Sequence, residues 1–251
     1  MKQFFNPSLP ILLCLFAIIA VPASANNYHH KIPGCNKIKS GALSMKAFSK
    51  EFEETADSLY NEIELKEAGL SLQAFEYALR GYNYLQQHHL LGKSNVLSIC
   101  DFSQSSRNKR MYVVDLDQKK ILINTYVAHG RKSGSEFAKS FSNSMQSHKS
   151  SLGFYVTDKS YYGEHGLALK IRGLEQGINN HAFARNIVVH GSDYVGSDFI
   201  KMNKFNGRSF GCPAVPASEI DDLIEMIKDG TCLFIYHPTK KYLAKSKILN
   251  G

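Results

Sequence analysis

The chain has 251 residues, a formal charge of +8 and no internal repeat or low-complexity tract, which fits one domain with an N-terminal extension. With an export signal at its start, that basic balance sets nucleic acid aside and suits anionic envelope polymers as partners. Its five cysteines show no C-x-x-C pair and no accompanying paired histidine ligands, which excludes a zinc-finger or zinc-ribbon reading.

Residues 1–25 read as a secretory signal peptide. Lys2 gives a positive start, residues 9–21 an apolar run, and Ala23-Ser24-Ala25 a small-residue cleavage pattern. The apolar run is shorter than the roughly 20 residues of a spanning helix and is bracketed by Pro10 and Pro22, so no stable membrane anchor is expected after cleavage near Asn26. The mature protein is expected in the periplasm or cell envelope. Cys14 leaves with the signal, and Cys35, Cys100, Cys212 and Cys232 remain in a compartment where disulfides persist. Cys100 and Cys232 lie in strand-like apolar text, which suits either buried free thiols or a Cys100 to Cys232 bridge.

Residues 26–92 form the N-terminal helical extension. Residues 43–60 place Phe48, Phe52 and Leu59 near one helical face, with Ile63 just beyond. Residues 71–90 repeat the pattern through Leu72, Phe75, Leu79 and Tyr82, with Ser71 as N-cap after a break at Gly69. The pairs His29-His30 and His88-His89 have no Cys, Asp or Glu at ligand spacing, so no metal site and no cofactor is expected.

Residues 93–251 form the catalytic domain of this reading. Residues 110–116 and 120–128 are rich in Val, Ile and Tyr, with Asp117-Gln118-Lys119 between them, and predict a hairpin. Further strands are expected at 153–157, 167–171, 187–190 and 232–236. Residues 217–228 predict one helix, with Leu223, Ile224 and Ile227 inward and Gly230 after its end. The serine-rich stretch 130–152, interrupted by Phe137, Phe141 and Met145, reads as an ordered loop over a cleft. The fold class is therefore α+β, a strand-rich core with two amphipathic helices before it and one helix after Cys212.

His190 ends a Val-rich strand and Cys212 stands in the loop Arg208-Ser209-Phe210-Gly211-Cys212-Pro213. A free thiol near neutral pH is only a few per cent thiolate, and an adjacent imidazole raises that fraction and supplies a proton to a leaving amine. Gly211, without a Cβ, lets backbone N–H groups approach a developing oxyanion. Pro213 has no N–H, so donors within the loop reduce to Gly211 and Cys212.

These residues resemble the L,D-transpeptidases with the YkuD-type catalytic domain, enzymes of bacterial peptidoglycan (murein), and in particular a divergent branch whose loop reads S-x-G-C-P. The likeness extends through Ile99-x-Asp101-Phe102-Ser103, Val127-Ala128-His129-Gly130, residues 150–156 and Cys232-Leu233-Phe234-Ile235-Tyr236. It implies a YkuD-like β-sandwich. It also implies that Cys212 attacks a stem tetrapeptide at its third residue and expels D-alanine, with His190 as base oriented by the carbonyl of Gly191. An amine acceptor then gives a cross-link and water gives L,D-carboxypeptidase or endopeptidase action. A non-catalytic wall-binding module is the alternative from another class. Familiar relatives carry a histidine two positions before the cysteine and an Arg or Asn soon after it, where this chain has Phe210, Ala214 and Val215. Arg208, Ser209, His129, His148 and Tyr155 are the candidates for holding the stem peptide, with His165 a further candidate for the missing histidine.

Overall fold

The computed structural model describes residues 42–93, 95–163 and 166–251, with the backbone alone over 42–49. The expected leader, the His29-His30 pair, Cys35 and His165 lie outside the described residues.

Two helices come first, α1 (Ala42–Glu62) and α2 (Leu72–Gln87). Ser71 caps α2 as its sequence position suggests, its Oγ accepting from the Ala74 N–H at 3.2 Å. Eight strands follow in one mixed sheet: β1 (Val96–Asp101), β2 (Lys109–Asp115), β3 (Lys120–Tyr126), β4 (Gly153–Gly163), β5 (Gly166–Gly173), β6 (Val188–Ser192), β7 (Ala214–Pro216) and β8 (Cys232–Tyr236). Their spatial order is β3-β2-β1-β8-β4-β5-β6-β7. The β1–β8 and β6–β7 pairs are parallel and the others antiparallel. Ala128, just past β3, bridges Ala214 in β7, so the two ends of the sheet meet and it curls nearly closed.

The expected hairpin is β2–β3. Asp115 fixes its turn, Oδ1 accepting from the N–H groups of Asp117 and Gln118 at 3.0 and 2.8 Å, which frees Lys119 to take φ +51°. β1 and β8 are buried along their whole length, and β8 accordingly reads as a continuous apolar run rather than an alternating one. Phe75, Leu79 and Leu85 of α2 share this core with Phe154 of β4 and Phe234 of β8, whose rings stack at 4.1 Å.

Four short elements differ from the sequence expectation. The helix after Cys212 is α4 (Ile220–Ile227), but α5 (Lys240–Lys245) and α6 (Lys247–Asn250) follow it, and α3 (Ser197–Asn203) and the three-residue β7 precede it. None of α3, α5, α6 or β7 is long enough to show a period in sequence. A bridge between Cys100 and Cys232 is excluded: both are free and fully buried. Cys232 pairs in register with Leu97, three positions from Cys100, about 10 Å along the strand and beyond disulfide reach. Burial pushes the Cys100 thiol up to about 12. Among the described residues no helix is long and apolar enough to cross a membrane.

Candidate active site

β6 and β7 run parallel side by side, and this pairing brings the two sequence-distant candidates together. His190 is in register with Ala214, and its N–H reaches the Pro213 carbonyl at 3.3 Å, so the histidine backbone lies beside the residue that follows Cys212. His190 Nδ1 stands 2.9 Å from the Gly191 carbonyl. A carbonyl only accepts, so Nδ1 carries the proton and Nε2 is the basic nitrogen of the neutral ring. Gly191 is also a point of close approach, because a Cβ there would meet Ile220 Cγ2 at 2.9 Å and Ala217 Cα at 3.1 Å, where the chain turns into α4.

Cys212 is half-buried, and its Sγ lies 3.7 Å from the Asn186 carbonyl, which accepts from the thiol. Asn186 takes φ +54°, a left-handed conformation that asparagine tolerates better than most residues, and so aims this carbonyl. Burial pushes the Cys212 thiol up. A backbone hydrogen bond at Val188 and the charge of Arg185 pull it partly back. The resting group is therefore a thiol, and a thiolate requires a base.

The loop around Cys212 holds its own shape. Ser209 is buried, its Oγ donating to the Cys212 carbonyl at 2.6 Å and accepting from the Gly211 N–H at 3.0 Å. Ser209 thus closes the loop, and the Gly211 N–H is spent inside it. Gly211 stands at φ +131°, and a Cβ there would meet the Lys149 carbonyl at 2.8 Å and Arg185 Nη2 at 3.1 Å. The serine-rich stretch is ordered and packs on this loop. Ser150 Oγ donates to the Gly211 carbonyl at 3.2 Å and accepts from the Gly130 N–H at 3.0 Å, while the Ser150 N–H reaches Ser133 Oγ at 3.0 Å.

Arg185 is the residue that the sequence reading missed. Its Nη1 donates to the Ser142 carbonyl at 2.9 Å and Ser151 Oγ at 2.6 Å, and its Nη2 to the Lys149 carbonyl at 2.6 Å and Ser147 Oγ at 3.3 Å. One planar guanidinium clamps the serine-rich loop and places a positive charge near the thiol. Its position five residues before His190, in loop text, gave no periodic signal. Arg185→Ala is expected to cost about 2 kcal/mol of stability, since four charge-assisted bonds go at once and water replaces part of them. Arg185→Lys, which keeps the charge without the fork, should recover only a minor part; urea unfolding of the three proteins checks the order.

The other candidates fall in different places. Tyr155, expected at the cleft, is instead fully buried in β4 with its hydroxyl donating to the Ser151 carbonyl at 3.0 Å, because its strand faces core on both sides there. His129 is fully buried, its Nδ1 accepting from Arg110 Nη2 at 2.8 Å, and burial together with the Arg110 charge pulls it down to about 3. It is neutral, and its carbonyl supports the Ser209 N–H at 3.1 Å. It braces the loop from below and is closed to solvent. Arg208 is exposed and donates to the Gly134 carbonyl at 3.2 Å.

Phe210, 61% exposed, carries the Arg131 guanidinium over its face at 4.7 Å and meets the edge of His148 at 4.7 Å. His148 therefore sits beside the position where relatives carry their second histidine. Its own burial, then Arg131 and Lys132, lower its pKa. Among the described residues no three His, Cys, Asp or Glu side chains gather where a metal ion could bind.

Some solved structures are similar to part of this chain. An L,D-transpeptidase from Mycobacterium smegmatis is similar in structure at 10% identity and a TM-score of 0.35, over 57% of this chain and 59% of that one. The helical cell shape determining protein Pgp2 from Campylobacter jejuni is similar at 15% identity and a TM-score of 0.36, over 69% and 61%. The chain thus spans less than two thirds of the length of these relatives. No curated protein matches it. The family model described as an L,D-transpeptidase catalytic domain matches residues 66–236, more than half of the chain and inclusive of His190, Arg185 and the whole cysteine loop. The chain belongs to the L,D-transpeptidase catalytic-domain family.

Proposed function

We propose that the protein is an exported L,D-transpeptidase that uses Cys212 as nucleophile and His190 as general base on peptidoglycan stem peptides. The observation that carries this reading is the His190 Nδ1 contact with the Gly191 carbonyl, on a strand whose neighbour begins directly after Cys212. It fixes the tautomer that accepts a proton at Nε2, as a cysteine acyl transfer requires, and it does so without an acidic third residue.

In this mechanism His190 Nε2 takes the Cys212 proton, and Sγ attacks the carbonyl that joins the third stem residue to the terminal D-alanine. The oxyanion is met by the Cys212 N–H, a loop donor that Ser209 does not consume. Collapse breaks the C–N bond, and the imidazolium returns its proton to the departing D-alanine amine. The thioester then passes to the amine of a second stem, forming a cross-link, or to water, forming a shortened stem. In either case the proton of the attacking group goes to His190 and Sγ leaves. The neutral His129 and the Ser209 bonds serve the shape of the loop and take no part in the proton path.

Purified protein incubated with disaccharide-tetrapeptides is expected to release D-alanine and accumulate dimers, read by mass spectrometry. D-alanine without dimers across a range of acceptor concentrations assigns water as the acceptor. Absence of both products, together with sacculus binding, replaces the enzyme with a wall-binding module.

A further inference from the structure

A cavity of about 450 Å³ lies on the side of the serine-rich loop where Ser142 and Asn143 meet α5, and neither Cys212 nor His190 lines it. Its size is in the range of small-molecule sites. The charged groups on its wall are all cationic, Lys139, Lys241 and Lys245, and neutral polar groups such as Ser140, Ser142 and Thr239 join them. No aspartate or glutamate lines it. None of these three lysines forms an ion pair among the described residues. A fourth, Lys149, reaches the rim, where its Nζ donates to Ser140 Oγ at 2.7 Å.

Behind Tyr242 on this wall, Glu175 is turned inward. Its Oε2 accepts from the Phe154 N–H at 2.8 Å and the Tyr242 hydroxyl at 3.2 Å, and its Oε1 from Ser246 Oγ. It is 4% exposed, and burial raises its pKa while these hydrogen bonds lower it. Like charges gathered around one concavity repel one another, and the low-dielectric wall focuses their field into it. Such an arrangement is relieved by an anion with several charges, while the hydroxyls offer it hydrogen bonds.

We infer that this cavity is a binding site for a multiply charged anion, carboxylate or phosphate, separate from the Cys212 site and read by Lys139, Lys241 and Lys245. It shares one wall with that site: Ser142 lines the cavity and its carbonyl accepts from Arg185, which also holds the Lys149 carbonyl against Gly211. The inference does not depend on turnover.

The test is calorimetric titration of the full chain carrying Cys212→Ala, so that its outcome is independent of the catalytic reading. Tripolyphosphate and tricarballylate are the two probes, each at low and at physiological ionic strength. Equimolar saturation is expected with at least one of them, weakening as salt rises. The combined Lys139→Ala, Lys241→Ala and Lys245→Ala variant should bind at least about tenfold more weakly. A control removing Lys66, Lys109 and Lys159 should bind as the parent does. Preference for the tricarboxylate assigns an acidic peptide as the source of the anion, and preference for the polyphosphate assigns a phosphate-bearing polymer. Failure of both probes to saturate, or an equal loss in the control, overturns the site. Both lysine sets are solvent-exposed, so circular dichroism is expected to be unchanged in either variant.

Discussion

Cys212→Ala is expected to abolish D-alanine release from tetrapeptide substrates, a loss of at least about 10⁴-fold, because it removes the group that would form the acyl bond in the proposed mechanism. The same variant should fail to take up a carbapenem by intact mass, whereas the parent gains one adduct. His190→Ala should fall less far, by about 10²- to 10⁴-fold, since it removes a proton carrier and leaves the nucleophile in place. The order follows from the geometry. Burial raises the Cys212 pKa and its thiol donates to the Asn186 carbonyl, so in the proposed mechanism the base would set how fast attack begins, and the sulfur would decide whether it happens at all. Undiminished turnover in Cys212→Ala would remove it as the nucleophile, and an adduct on another residue would move the site.

Gly81→Ala is expected to destabilise the fold by about 2–3 kcal/mol, although the same change in an exposed helix stabilises by about 1 kcal/mol. Gly81 is on the buried face of α2, and a Cβ there would fall 1.9 Å from Phe154 Cζ and 2.2 Å from Cε1. The ring cannot swing away, because Phe154 is fully buried and stacks on Phe234 at 4.1 Å with an interplanar angle of 10°. Either α2 lifts from the sheet or the aromatic stack breaks. For a unit of this size that corresponds to a fall of about 5–10 °C in melting temperature. A rise in melting temperature would mean that α2 sits looser on the sheet than this contact requires.

Much of this architecture was legible in the sequence wherever a pattern was long enough to repeat. The helical period of 72–87, the Ser71 cap and the apolar runs of β2 and β8 fall where they were expected, because periodicity and burial leave direct marks on residue choice. Three-residue β7 and four-residue α6 leave no such mark. Within the site, His190 and Cys212 stood out because their chemistry is scarce and their flanks are distinctive. Arg185 did not, since an arginine in loop text is usually solvated, and only the fold shows four acceptors converging on it. Tyr155 misled for the opposite reason: its strand is long and the first half is buried on both faces, so alternation gave no hint of which face was open. Ser209 could be placed in the loop but not oriented, because a serine hydroxyl serves a turn or a ligand equally well until its partners are known.

The strand at the centre of the sheet is the last one to be synthesised. β8 sits between β1 and β4, in parallel register with β1 across some 135 residues of intervening chain. Until residues 232–236 emerge, β1 and β4 have no common neighbour, and the hydrophobic centre that α2 covers is a slot with its middle missing. Contacts so distant along the chain form late and slowly. A nascent polypeptide of this design therefore lacks the centre of its sheet until residues 232–236 are made, and the loop around Cys212 acquires its finished setting only after that.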